Sequence, residues 1–147
     1  MTIELVRPPG PTHPAPHACA AVTDPGRMVF TAGAAPLDDD GGTVAVGDVA
    51  GQARRAMANL ATALEAGGAT LGDVLRTTVY VATTDRADLL AAGEAVREAL
   101  GAHLAPSTLV GVTVLAHPDQ LVEVDAVAVR DSWQEPGPPD DAATLDR

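Results

Sequence analysis

The stretch DVAGQARRAMANLATALEAGGATLGDVLRTTVYVA, residues 48–82, decides the fold. Asp48 is a good helix N-cap, and Val49, Ala53, Ala56, Met57, Leu60 and Leu64 recur at helical spacing until Gly67-Gly68 stops the pattern. A short link leads to Val74–Ala82, which is dense in β-branched residues and reads as a strand. Downstream, Asp85 caps a second helix in which Leu89, Ala92, Val96 and Leu100 share one stripe, ended by Gly101. After Pro106, Ser107–Leu115 and Leu121–Arg130 read as two further strands, joined by the turn Ala116-His117-Pro118-Asp119. Upstream, Ala18–Val22 and Arg27–Gly33 are short strand runs about the turn Asp24-Pro25-Gly26, and residues 34–48 form a loop holding the acidic run Asp38-Asp39-Asp40. The class that follows is α+β: a sheet of five or six strands with two helices on one face.

The chain has 147 residues, of which 46% are hydrophobic, enough to pack one core. That core is aliphatic, since Phe, Tyr and Trp occur once each. The domain is expected over 17–130. Residues 1–16, with Pro8, Pro9, Pro11, Pro14 and Pro16, read as an extended arm, and 131–147, acidic and proline-containing, as a disordered tail. Strand 107–115 is mostly apolar on both sides, yet the helices can cover only one. An uncovered apolar face of several hundred Å2 is unusual on a monomer, so self-association is expected, with any cleft lying between subunits.

Net charge is −11, and all nine basic residues are Arg, so the chain would repel nucleic acid and acidic membrane surfaces. No apolar run approaches the roughly 20 residues that span a bilayer, and the N-terminus shows no signal-peptide pattern, so a cytoplasmic location is expected. Cys19 stands alone, which excludes an intrachain disulfide and a Cys-based zinc site built from one subunit.

The runs MVFTAGAAPLD (28–38), the block 47–81, PSTLVGV (106–112) and LVEVDAVAV (121–129) resemble, in order and spacing, the Rid/YjgF family of reactive-intermediate deaminases, formerly labelled L-PSP endoribonucleases. The resemblance covers roughly residues 16 to 130. It implies a chorismate-mutase-like fold, a homotrimer with a central barrel of sheets, ligand clefts between subunits, and hydrolysis of 2-imino or 2-enamino acids to 2-keto acids with no cofactor. Residue by residue it carries over poorly. Deaminating members hold the substrate carboxylate with an Arg in a Pro-Ala-Arg-Ser motif, and Ser107 of Ala105-Pro106-Ser107-Thr108 stands at that position. His17 replaces a site Tyr, Ala32 a site Ser, and Leu90 a site Asn; the acid of the last strand is kept as Glu123. The resemblance is therefore to subgroups lacking the Arg.

Glu123 and Asp125, two apart on a strand, point to one face. Glu123 is the candidate general base or water-positioner, against a reading of both acids as solvated or as a structural network. His17 is a candidate proton carrier lining the cleft. It also alternates with Cys19, and with His13 in the arm, which suggests a nucleophile–base or metal arrangement, against the blander state of a small buried thiol. Ser107 and Thr108, at the mouth of the implied cleft, could hydrogen-bond a neutral carbonyl or hydroxyl. Gly33 is expected to permit close backbone approach, and Gly111 a bulge or a contact with a neighbouring subunit. His103 and His117 are expected in solvated turns, and Arg76 in a structural ion pair. The functional expectation is a small-molecule hydrolase of the deaminase kind, inefficient on free 2-imino acids. The alternative is a non-catalytic metabolite-binding or accessory protein, and the family's old label adds a nuclease reading that the charge disfavours.

Overall fold

A computed structural model describes residues 2–8, 10 and 16–131. Among these residues the elements run β1 (Ile3–Val6), β2 (Ala20–Thr23), β3 (Arg27–Phe30), α1 (Val49–Ala66), a 3-10 turn at Leu71–Asp73, β4 (Val74–Ala82), α2 (Arg86–Leu100), β5 (Ser107–Val112) and β6 (Val122–Arg130). The expected caps form. The Asp48 carboxylate accepts from Gly51 N–H, and the Asp85 carboxylate from Ala87 N–H, each at 2.9 Å. Gly101 ends α2 with φ of +62°, a backbone position that favours glycine.

The strands form a two-stranded sheet, β1-β2, and a four-stranded sheet in the order β3-β6-β4-β5. β4 pairs antiparallel with β6 and parallel with β5, the helix α2 providing the crossover. α1 and α2 lie together against one face, where Val74, Val79, Val81, Val122, Val124, Ala126 and Ala128 pack with Met57, Leu60, Leu64, Ala92 and Val96. The expected α+β class with both helices on one face is therefore present.

Several details depart from the sequence reading, first among them that the six strands divide into sheets of two and four rather than forming one sheet of five or six. The first stretch of the arm is a strand: Ile3–Val6 pairs antiparallel with β2, and Leu5 packs against the core, because the prolines begin only at Pro8. Strand β3 stops at Phe30 rather than Gly33. The Thr31 hydroxyl there accepts from Ala126 N–H at 3.0 Å, and the chain steps away before Ala34 bridges Val124. Strand β5 stops at Val112 rather than Leu115, since its partner β4 ends at Ala82, opposite Val112. At Gly111 the register with β4 runs on without a bulge, and a Cβ there would lie 2.9 Å from the Thr83 carbonyl oxygen. His13 and the acidic tail beyond residue 131 lie outside the described residues.

The face away from the helices is not uniformly apolar. Its centre carries Thr78, Tyr80, Glu123 and Asp125, and its edges carry Met28 and Phe30 on β3 and Val110 and Val112 on β5. Phe30 is 73% exposed, an arrangement that leaves a large aromatic side chain in water within one chain.

Candidate functional site

Parity along the strands sorts the candidate residues into two groups. Thr77 and Ser107 are register partners on the helix side of the sheet, whereas Thr78 and Thr108, one residue on, point to the other side. Ser107 consequently lines a cleft of about 400 Å3 between α2 and β5, together with Pro16, His17, Val79, Leu90, Gly93, Glu94, Arg97 and Leu109. Thr108 does not.

Within the cleft each polar group has a defined state. The His17 Nδ1 lies 3.0 Å from the Ala105 carbonyl oxygen. A carbonyl only accepts, so Nδ1 carries a proton and Nε2 is the nitrogen left to exchange one. Thr77, fully buried, donates its hydroxyl hydrogen to Ser107 Oγ at 2.7 Å, which leaves the Ser107 hydrogen for a ligand. Leu90 is 71% exposed at the rim. Arg97 and Glu94 form an ion pair on α2 beside it.

The second group lies on the opposite face of the sheet. Glu123, on β6, faces the residues 32–33 that step away from β3, and Gly33 leaves room for it: a Cβ would lie 2.5 Å from the Glu123 carboxyl carbon and would displace the carboxylate. The Gln120 amide, in a side chain only 4% exposed, approaches Glu123 Oε1 at 3.5 Å and bonds the Val122 carbonyl at 3.1 Å. Beneath the same loop Gln52, fully buried, donates to Asp119 O at 2.9 Å and accepts from Leu121 N–H at 2.7 Å. This support steadies a turn in which Asp119 adopts φ of +59°, unusual for a non-glycine residue. Asp125 accepts from the Tyr80 hydroxyl at 3.0 Å, and that bond, with burial and the carboxylate charge, raises the Tyr80 pKa above its ordinary value.

One chain therefore brings His17, Ser107 and Leu90 together, and separately Gly33, exposed Ala32 and Glu123, without joining the two sets. Cys19 belongs to neither: it is exposed and its thiol points to the Val6 carbonyl at 3.2 Å, while His17 turns to Ala105. The suggested His–Cys pairing is not formed, because β2 begins only at Ala20. Among the described residues no group of three or more His, Cys, Asp or Glu could hold a metal ion. Arg76 takes part in neither of the ion pairs among them, Arg55–Asp39 and Arg97–Glu94. His103 is half-buried, its Nε2 2.7 Å from Val74 O, rather than solvated; His117 is exposed. Sequence reasoning missed Gly93, Glu94, Arg97, Gln52 and Gln120. The first three stand at i+3, i+4 and i+7 from Leu90 on α2, a legible signal; the two amides had none.

The fold and cleft define a small α+β protein with a ligand-sized cavity beside a helix. The family described as endoribonuclease L-PSP matches residues 12–130, and the chain belongs to it, that is, to the Rid/YjgF family. It is similar to the 2-iminobutanoate/2-iminopropanoate deaminase of Salmonella typhimurium, 38% identical over 108 residues, covering 73% of this chain and 83% of the relative. A RutC family protein of Pyrococcus abyssi is 33% identical over 106 residues, covering 72% of this chain and 81% of the relative. Among solved structures, a Rid family protein of unknown function from Yersinia pestis superposes with a TM-score of 0.79 at 29% identity, covering 88% of this chain and all of the other. TdcF of Escherichia coli, solved with bound serine, superposes with a TM-score of 0.62 at 32% identity over 89% of this chain and 99% of that one. No helix among the described residues is long and apolar enough to cross a membrane.

Proposed function

We propose that the chain works in the cytoplasm as a homotrimeric, cofactor-independent hydrolase of the deaminase kind, acting on a small imine, enamine or carbonyl compound. The observation that carries this reading is the division of the candidate residues. His17 and Ser107 line one cleft, and Glu123 with Gly33 lies on the other face of the same sheet. Apposition of a neighbouring copy unites the two sets and covers Phe30, Met28 and the valines of β5. His17 enters with a proton on Nε2 as well as on Nδ1; Glu123 takes a proton from a water as it adds to the C=N carbon, and His17 Nε2 delivers its proton to the nitrogen. As the carbinolamine collapses, Glu123 gives its proton to the leaving nitrogen and the hydroxyl hydrogen passes to His17 Nε2, so that the carbonyl compound and ammonia leave and both residues are reset. The Ser107 hydroxyl donates to a neutral oxygen of the ligand. Because Ser107 offers no positive charge where a 2-imino acid would place its carboxylate, turnover of 2-iminopropanoate is slow.

The test is ammonia release from 2-iminobutanoate and from small neutral imines generated in situ. Turnover of neutral imines that exceeds that of the 2-imino acid and vanishes in Glu123→Gln supports the reading. Efficient deamination of the 2-imino acid contradicts it.

A second reading, a metabolite-binding or accessory protein, is favoured by the apolar Ala32 and Leu90 at positions where the family resemblance carries polar side chains. A ligand at about 100 times its Kd would add roughly 2.7 kcal/mol of stability, so thermal shifts without turnover select it. The nuclease wording of the family description finds no support in a chain of net charge −11 without lysine.

A further inference from the structure

The cleft has a cation, on a different wall from the one where the resemblance would place it. Leu90, Gly93, Glu94 and Arg97 fall at i, i+3, i+4 and i+7 along α2 and all line the cleft. Arg97 is the only cationic side chain among the described lining residues, and its side chain is 36% exposed. Its Nε donates to Glu94 Oε2 at 3.0 Å and its Nη2 to Glu94 Oε1, a two-point contact that fixes the plane of the guanidinium. That contact uses one edge. A guanidinium has five N–H donors, so the Nη1 side stays available for a second, planar acceptor. Gly93 keeps the space clear: a Cβ there would lie 3.1 Å from Leu109 Cδ2, so this turn of α2 adds no side chain to the cavity.

We propose that Arg97, oriented by Glu94, is the carboxylate anchor of this cleft. An anchor moved from the start of β5 to the helix wall moves the carboxylate with it. The ligand class is then a small oxo or imino acid whose carboxylate stands several atoms from the reacting carbon, rather than next to it. This inference rests on the reading of the cleft as the ligand site. Glu94 also tempers the anchor, since it already neutralises Arg97 on one edge, and this makes the carboxylate grip modest and sensitive to the Glu94 charge.

Calorimetric titration of the full chain with 4-oxopentanoate, its methyl ester and 2-oxobutanoate tests the proposal. The acid is expected to bind about tenfold tighter than the ester and tighter than 2-oxobutanoate. Arg97→Met should remove that advantage by weakening the acid far more than the ester, and Arg97→Lys should restore part of it, which a merely structural loss would not do. Glu94→Gln should act in the opposite sense and tighten the acid severalfold. Equal binding of acid and ester, unchanged acid binding in Arg97→Met, or preference for 2-oxobutanoate overturns the anchor while the cleft stands. Failure of all three probes to bind overturns the anchor and the cleft together.

Discussion

Ser107→Arg places a guanidinium at the start of β5, and the structure sets both its cost and its benefit. The cost arises beneath it. Thr77 is fully buried and donates to Ser107 Oγ at 2.7 Å, whereas arginine has no acceptor to offer. An orphaned buried hydroxyl costs about 1–3 kcal/mol. At roughly 2–4 °C per kcal/mol for a domain of this size, Tm should fall by roughly 2–12 °C at fixed protein concentration. The benefit arises in the cleft, whose volume of about 400 Å3 admits both the new side chain and a small ligand. A charge-assisted bond to a carboxylate contributes about 1.5–3 kcal/mol, equivalent to an increase in kcat/KM on 2-iminobutanoate of about 10- to 150-fold. Ammonia release in a coupled assay and a melting curve read the two effects separately. Thr77→Val in the same background should recover much of the Tm and keep the gain. A folded variant that shows the stability loss but no gain on 2-iminobutanoate would refute the assignment of the cleft.

Gly33→Ala forces the Glu123 carboxylate to move by about 1 Å, since the new Cβ would otherwise sit 2.5 Å from its carboxyl carbon. The off-rotamer cost of about 0.5–1.5 kcal/mol is offset by the reduced entropy of the unfolded chain, so Tm should hardly change while activity falls about 100-fold. In a Glu123→Gln background the same substitution should have no further effect on turnover. Gln52→Leu leaves Asp119 O and Leu121 N–H without the fully buried side chain that satisfies them. Denaturant titration should show a loss of about 2–4 kcal/mol. The Tyr80 hydroxyl donates to Asp125, which raises its pKa and favours the neutral phenol in the folded state. That contribution to stability is complete below the ordinary value of about 10 and is lost as pH rises through the raised one. Tyr80 is the single tyrosine, so tyrosinate absorbance isolates it: it should titrate above free tyrosine and drop back in Asp125→Asn.

The legible part of the fold was the part governed by local rules. Asp48, Asp85, the stripe of Leu60 and Leu64 and the β-branched run 74–82 all speak through capping and periodicity, and their boundaries hold. Strand ends depended on partners: β5 stops where β4 stops, and β3 where Thr31 substitutes its hydroxyl for a carbonyl, neither of which is a property of those residues alone. β1 was hidden by the prolines that follow it. In the site, the alternation that separates Ser107 from Thr108 was available from the strand period. The support of Glu123 by Gln120 was not, because it passes through a loop whose path sequence spacing does not determine.

Sedimentation equilibrium at micromolar concentration tests most directly whether a second copy completes the cleft. A stable species of three times the 14.8 kDa chain mass is expected, converted toward monomer by Phe30→Glu on the exposed sheet face. A stable 14.8 kDa species for the unaltered chain would contradict it.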